Sequence, residues 1–376
     1  MVSSRRPARP STRESQGAGR LRGISRRLLT ILGLAVALLS GCQRRVQLMP
    51  AEADSTVRIP PDSLAVAMRN AQELWESGSG EQAAELTARV LLQDLLQHDP
   101  GEWSGRADAL LDSLGIGSEV AGRPCVLVVN FFARSDPTKS SWPYLFWCGA
   151  KGPAAQSVEG RGLRLVSVVS RTAAGEGASG RAPDRGAALF LRQRGGRQEP
   201  MLMVWESQKG ERWKLSQTLG PDSLGGTGSA QFETASDTTI DLVTRTYRVP
   251  PHFDECPSCP HVFRVHRFHW NPDGFVRIED QIVPSPYSAF VEFIGALASG
   301  SERARELVTH DDLVDEAWRL EWGRAKGTWR IAPGAEEAGD QMLFYRGTQE
   351  AYRVRFQRRG SDWLIAGFEP IPRAVE

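Results

Sequence analysis

Four of the chain's six histidines and two of its five cysteines fall in one stretch, HFDECPSCPHVFRVHRFHW, residues 252–270. Imidazole and thiolate bind zinc, and a C-x-x-C pair can also make a redox dithiol or a tight structural disulfide. Zinc has one local set, since His252, Cys256, Cys259 and His261 stand at tolerable ligand spacing. The two remaining histidines cannot join it. After Pro260 the residues alternate as in a strand, and at ~3.3 Å per residue His261 and His269 lie about 26 Å apart. His266 and His269 also point to opposite faces of that strand. A reactive dithiol wants its first cysteine at a helix N-terminus, where the dipole lowers the thiol pKa. Pro260 and the strand pattern deny that helix. A disulfide staple is the expectation in an oxidising compartment, with the zinc set as runner-up. Compartment therefore decides the chemistry.

Other motifs carry less. Gly175-Glu176-Gly177-Ala178-Ser179-Gly180 matches G-x-G-x-x-G, but dinucleotide binding needs a helix directly behind it, and Arg181-Ala182-Pro183 opposes one. His310-Asp311-Asp312 sets an imidazole beside two carboxylates. Consecutive residues on a helix start do not face each other, so this reads as solvated surface. WPYLFW, residues 142–147, packs four aromatics into six positions; exposed, they could stack on a glycan, but buried strand core is the expected role. The sequence contains no Walker A, H-E-x-x-H, G-x-S-x-G or calcium-loop pattern. No catalytic motif and no cofactor site emerges.

Compartment is written at the N-terminus. Residues 1–41 carry eight arginines and one acid, Glu14, and their net +7 within a whole-chain charge of +1 leaves −6 for residues 42–376. A mildly acidic body argues against a nucleic-acid partner. Leu28–Leu39 is nearly all apolar; as a helix it covers about 18 Å, short of the ~30 Å hydrocarbon core, so it suits a signal peptide rather than a span. Leu39-Ser40-Gly41-Cys42 then resembles the lipobox of bacterial lipoproteins. That resemblance implies cleavage before Cys42, a diacylglycerol on its thiol and a fatty acyl group such as palmitate on the new amine. Two or three chains suffice for stable membrane anchoring. Gln43 follows, not aspartate, which implies the periplasmic face of the outer membrane if the cell has two membranes. Ser25-Arg26-Arg27-Leu28-Leu29 is similar to a twin-arginine signal, but the surrounding arginines explain it, and Sec export is the expectation.

Export places the body where thiols pair. With Cys42 taken by lipid, Cys125, Cys148, Cys256 and Cys259 allow three connectivities, of which 125–148 with 256–259 is the most local. The longer of those loops would contribute about 3 kcal/mol by restricting the unfolded chain.

The elements that must position these residues follow from periodicity. Residues 43–60 are polar and end at Pro60-Pro61, a tether. Helices are expected over Asp62–Gly78 (apolar Leu64, Met68, Ala71, Trp75), over Glu81–Gln97, and around Ala107 to Leu114, together a cap or spacer. From residue 123 the pattern turns to strands. CVLVVNFFA (125–133) reads as buried on both faces, Gly195-Gly196 turns a hairpin across 188–206, and Asn271-Pro272-Asp273-Gly274 turns another. About eight strands are expected to residue 284, as a meander forming a sandwich, barrel or partial propeller, with glycine-rich loops at 172–186 and 219–229. Ser285-Pro286 opens a helix with Phe290, Phe293, Ile294 and Leu297 on one face; a shorter helical run and four strands follow. This helix-then-sheet order resembles the nuclear-transport-factor-like (cystatin-like) cone, a family that often holds an apolar pocket between helix and sheet.

The resulting expectation is an α+β protein: signal peptide 1–41, tether 42–61, helical segment 62–120, antiparallel β-rich region 121–284 and a small cone-like α+β region 285–376. Its expected function is a lipid-anchored, non-catalytic binding or assembly module of the cell envelope, with a protein or glycan partner. The alternative is a small-ligand carrier or enzyme using a C-terminal pocket.

Overall fold

The computed structural model describes residues 59–60, 63–135, 140–171, 184–208, 212–236, 239–324, 326–331 and 339–372. The expected leader, Cys42, nearly all of the expected tether and Gly175–Gly180 lie outside them. What is described is an α+β chain that is mostly β, with helices and four antiparallel four-stranded sheets. No helix among the described residues is long and apolar enough to cross a membrane.

Three helices come first: α1 (Leu64–Glu76), α2 (Gly80–Leu95) and α3 (Trp103–Ser113). Their small and aliphatic faces, Ala84, Ala88 and Leu91 among them, share a core with Leu127, Val129, Phe131 and Phe146 of the first sheet. The helical segment is therefore a lid on that sheet. The sheet is built from β1 (Gly117–Arg123), β2 (Val126–Phe132), β3 (Ser141–Gly149) and β4 (Gly152–Ser157), each paired with the next. The second sheet repeats the plan with β5 (Leu163–Arg171), β6 (Arg185–Arg194), β7 (Arg197–Gln208) and β8 (Arg212–Leu219). After the one-turn α4 (Pro221–Leu224) the third follows: β9 (Thr227–Ser236), β10 (Thr239–Tyr247), β11 (Phe263–Asn271) and β12 (Gly274–Ile282).

These sheets stack face to face, and period-two alternation sorts their residues. On β2, Val126 and Val128 turn from the helices towards Phe190, Met203 and Trp205 of the second sheet. On β6 and β7, Ala187, Leu189, Leu202 and Val204 face the other way, onto Leu242, Phe268 and Trp270 of the third. Strands buried on both faces read as continuous apolar runs, which is what CVLVVNFFA and ALFL are. The β6–β7 turn is Gly195-Gly196, both at positive φ (56° and 77°), as a two-residue hairpin requires.

Among the described residues, twelve strands, not about eight, occupy the region up to Ile282. The first begins at Gly117, ahead of the visible change in pattern, and the supposed loop 219–229 holds α4 and the start of β9. WPYLFW lies in β3, with Leu145, Phe146 and Trp147 buried.

The remaining chain runs α5 (Pro286–Ser299), α6 (Arg303–Glu306) and α7 (Asp312–Arg319), then β13 (Trp329–Ile331), β14 (Gln341–Arg346), β15 (Glu350–Arg359) and β16 (Asp362–Pro370). Ser285 caps α5 by accepting from the Ser288 N–H, while the Ser288 hydroxyl accepts from the Ser285 N–H. On β15, Tyr352, Val354 and Phe356 are buried and Arg353 and Arg355 exposed, so one face of this sheet covers the helices.

Candidate functional site

The cysteine and histidine stretch is the connector between β10 and β11, up to residue 262, followed by β11 itself, which carries His266 and His269. Cys256 and Cys259 Sγ are 2.17 Å apart, and Cys125 and Cys148 Sγ 2.18 Å, so both local pairs stand at disulfide distance. The first pair ties the exposed end of the connector to itself. The second ties the β1–β2 turn to β3, with Cys125 at φ 66°, a backbone state where glycine is the ordinary residue.

The four histidines go to four different places. His252 is exposed. His261 is buried: its Nδ1 lies 2.6 Å from Glu255 Oε2, its Nε2 3.3 Å from the Pro257 carbonyl, and its ring stacks on Tyr247 at 3.6 Å. His266 is enclosed between the third sheet and α4, near Thr244 Oγ1 (3.3 Å) and Asp280 (3.5 Å). His269 stands on the outer face of the sheet, with Nδ1 2.8 Å from Asp241. The runner-up zinc set is thus split: its thiols face each other and His261 faces a carboxylate. Among the described residues no group of three or more histidine, cysteine, aspartate or glutamate side chains is arranged to hold a metal ion.

Sequence reasoning missed Glu255, the centre of this neighbourhood. Its carboxylate is fully enclosed and receives Tyr287 Oη–H at 2.6 Å on Oε1, with His261 on Oε2. Burial first, and then the Glu255 carboxylate, push the Tyr287 phenol well above its ordinary value. Phe253, two residues earlier, sits edge-on to Tyr287 and Phe290 and bridges to Trp329, whose N–H donates to the His252 carbonyl. The connector is therefore a strap from the third sheet into the C-terminal core. Tyr287 lies 32 residues from Glu255, and no spacing rule joins them.

His269 and Asp241 form an imidazole–carboxylate pair with Arg267, which also reaches Glu233. Burial raises the Asp241 carboxyl, but hydrogen bonds from His269 and Arg267 outweigh it and hold the carboxyl below the usual range. Such a pair could activate a nucleophile. The residues paired to it across the sheet, Glu233 and Val276, offer no hydroxyl or thiol. Its chemistry is that of an ion-paired surface.

Two places in the C-terminal region bear on ligand binding. The first is the interior between α5 and its sheet, and it is full. Phe290 stacks on Phe344 at 3.8 Å, Trp322 lies 4.3 Å from Phe368 and 5.2 Å from Trp329, and all are buried. The second is a groove of about 570 Å³ between the third sheet, α5, α6 and the β15–β16 hairpin. Arg264 pairs with Asp280 at its wall (2.8 Å), and Arg303 pairs with Glu292 (2.8 Å) and Glu306. Trp363 and Arg359 complete the lining, and Arg359 carries no ion pair among the described residues. The groove is open and charged. Glu292 first, and then Glu306, hold the Arg303 guanidinium above its ordinary value.

No family model matches the chain, and no curated protein matches it either.

Proposed function

We propose that this protein is a lipid-anchored component of the cell envelope, tethered through Cys42, whose folded body is a non-catalytic binding or assembly module. The carrying observation is the aromatic filling between α5 and the C-terminal sheet. A carrier or an enzyme built on a cone-like region needs room there, and Phe290, Phe344, Trp322 and Trp329 occupy it. The order of three helices and a four-stranded meander supports the cone-like reading of residues 285–376, with its usual pocket packed shut. What stays open is the groove with Arg359 and Trp363, which suits a polar partner, an envelope protein first and a glycan second.

Anchoring is supported by the lipobox order and by two cysteine pairs at disulfide distance. Metabolic labelling with a palmitate analogue, followed by mass spectrometry, tests it: label on mature Cys42 is expected, absent from Cys42→Ala. An intact leader with a free thiol would overturn it. For the module itself, a photo-crosslinking residue at position 359 of the anchored protein should capture an envelope partner. The same residue at exposed position 69, on α1 above the first sheet, should not. Binding of a fluorescent fatty acid, lost in Phe290→Trp, would favour the carrier reading instead.

A further inference from the structure

The Cys256–Cys259 pair differs from Cys125–Cys148 in its surroundings. It closes a four-residue loop at the surface, where Cys256, Pro257 and Ser258 are exposed. Cys125 and Cys148 are half-buried, and Cys148 packs against the core beneath the helices. In the small loop the two sulfurs are not equivalent. The Cys256 N–H donates to Cys259 Sγ at 3.3 Å, a contact that stabilises negative charge on that sulfur. Cys256 is the more exposed of the two. Thiol–disulfide exchange proceeds fastest by attack on an accessible sulfur with expulsion of the better-stabilised thiolate.

What the loop holds in place matters equally. Glu255 precedes it and His261 follows it by two residues, and these two meet across its base at 2.6 Å while Glu255 accepts from Tyr287 on the first turn of α5. The bridge keeps the Cys256 and Cys259 Cα atoms 5.1 Å apart, which pins the ends of the loop for that contact. Once it is open, the turn is left to one Cys259 N–H to Cys256 carbonyl bond at 3.1 Å, the His261 Nε2 contact with the Pro257 carbonyl at 3.3 Å and the Cys256 Sγ–Ser258 Oγ contact at 3.5 Å, none of which fixes the spacing of its ends covalently.

We propose that Cys256–Cys259 is a thiol–disulfide exchange site that takes a dithiol as co-substrate, and that its opening releases the Glu255–Tyr287 latch between the third sheet and the C-terminal unit. The incoming thiolate bonds to Cys256 Sγ, and the Cys256–Cys259 bond breaks with its electron pair passing to Cys259 Sγ. The second thiol of the co-substrate, deprotonated, then displaces Cys256 from the mixed disulfide. The co-substrate leaves as a disulfide, oxidised by two electrons, and this chain gains two thiols and the two protons. No helix N-terminus is needed, because the Cys256 N–H supplies the stabilising contact locally.

The test uses the full folded protein treated with dithiothreitol, quenched by alkylation at intervals and mapped by mass spectrometry. Cys256 and Cys259 should become labelled at least about tenfold faster than Cys125 and Cys148, and a trapped adduct should sit on Cys256. Hydrogen exchange on the same samples should show protection lost over 253–262 and the first turn of α5, with the first two sheets unchanged. Cys256→Ser/Cys259→Ser should match the reduced pattern without reductant and ignore its addition. If that variant does not fold, the reduced wild type still gives the reading. Equal reduction rates for the two bridges, or the adduct on Cys259, would overturn the exchange site. Unchanged protection after selective reduction would overturn the latch.

Discussion

Glu255 is the residue on which most polar contacts of the strap converge. Replacing it by alanine leaves the Tyr287 hydroxyl and the His261 ring enclosed without their acceptor, and each orphaned group costs about 1–3 kcal/mol. Glu255→Ala is therefore expected to lower unfolding free energy by roughly 3 kcal/mol or more, and Glu255→Gln, which keeps one acceptor oxygen, by less than half of that. Urea titration of the three proteins checks the ranking; equal losses would mean that shape, not hydrogen bonding, matters there. His266 makes a separate prediction. Burial lowers its imidazole pKa, with Arg277, Arg264 and Arg248 adding to the effect and Asp280 opposing it. A depressed folded value means that the unfolded chain binds the proton first. Stability is then complete above the unfolded value of about 6.5 and falls as pH drops below it towards the lowered folded value. The urea midpoint should decline from pH 7.5 to 5.5 in the wild type and stay flatter in His266→Gln.

Among the elements, the turn after α4 is closely packed. Gly225 has φ 94°, and a Cβ there would come within 2.3 Å of the His266 ring and 2.4 Å of Thr246 Oγ1. Gly225→Ala should cost about 2 kcal/mol or more, read as a lower denaturation midpoint with an unchanged slope. Legibility from sequence also divides by element. The central strands β2, β6 and β7 were visible because burial on both faces demands an apolar run. β1 (GSEVAGR), β4 (GPAAQS) and β9 (TGSAQFETAS) were not, and all three are sheet edges. An edge strand need only lend its backbone to one neighbour, so glycine, serine and acid survive in it. Apart from α4, which lies in a stretch read as loop, the helices were found to within a few residues, since their apolar stripes and the Ser285-Pro286 start are local signals. The site was legible only in its sulfurs. Its carboxylate, its tyrosine and the groove arise from contacts across tens of residues, which periodicity does not encode.

At the scale of the whole molecule, the C-terminal unit is held by aromatic packing and the remainder by three sheets sharing faces. Phe290→Ala removes the ring that meets Phe253, Trp322, Trp329 and Phe344, and should cost about 3–5 kcal/mol. Tryptophan fluorescence melting checks it. The same variant should acquire affinity for a small apolar probe that the wild type does not bind, because the cavity left behind is lined by rings. In the stack, Phe190 is buried between the first and second sheets. Phe190→Ala should move a single thermal transition downwards without splitting it, since each interface is shared by two sheets; two separated transitions in calorimetry would show that the sheets unfold independently.

Each of the four sheets is made of strands in strict chain order, every one laid against its immediate predecessor. No strand waits inside its own sheet for a partner from far downstream. For a polypeptide delivered N-terminus first, a sheet can zip up as soon as its fourth strand emerges, and its outer face then serves as the template for the next. The order of delivery and the order of assembly coincide, so little apolar surface stands open for neighbouring chains to find.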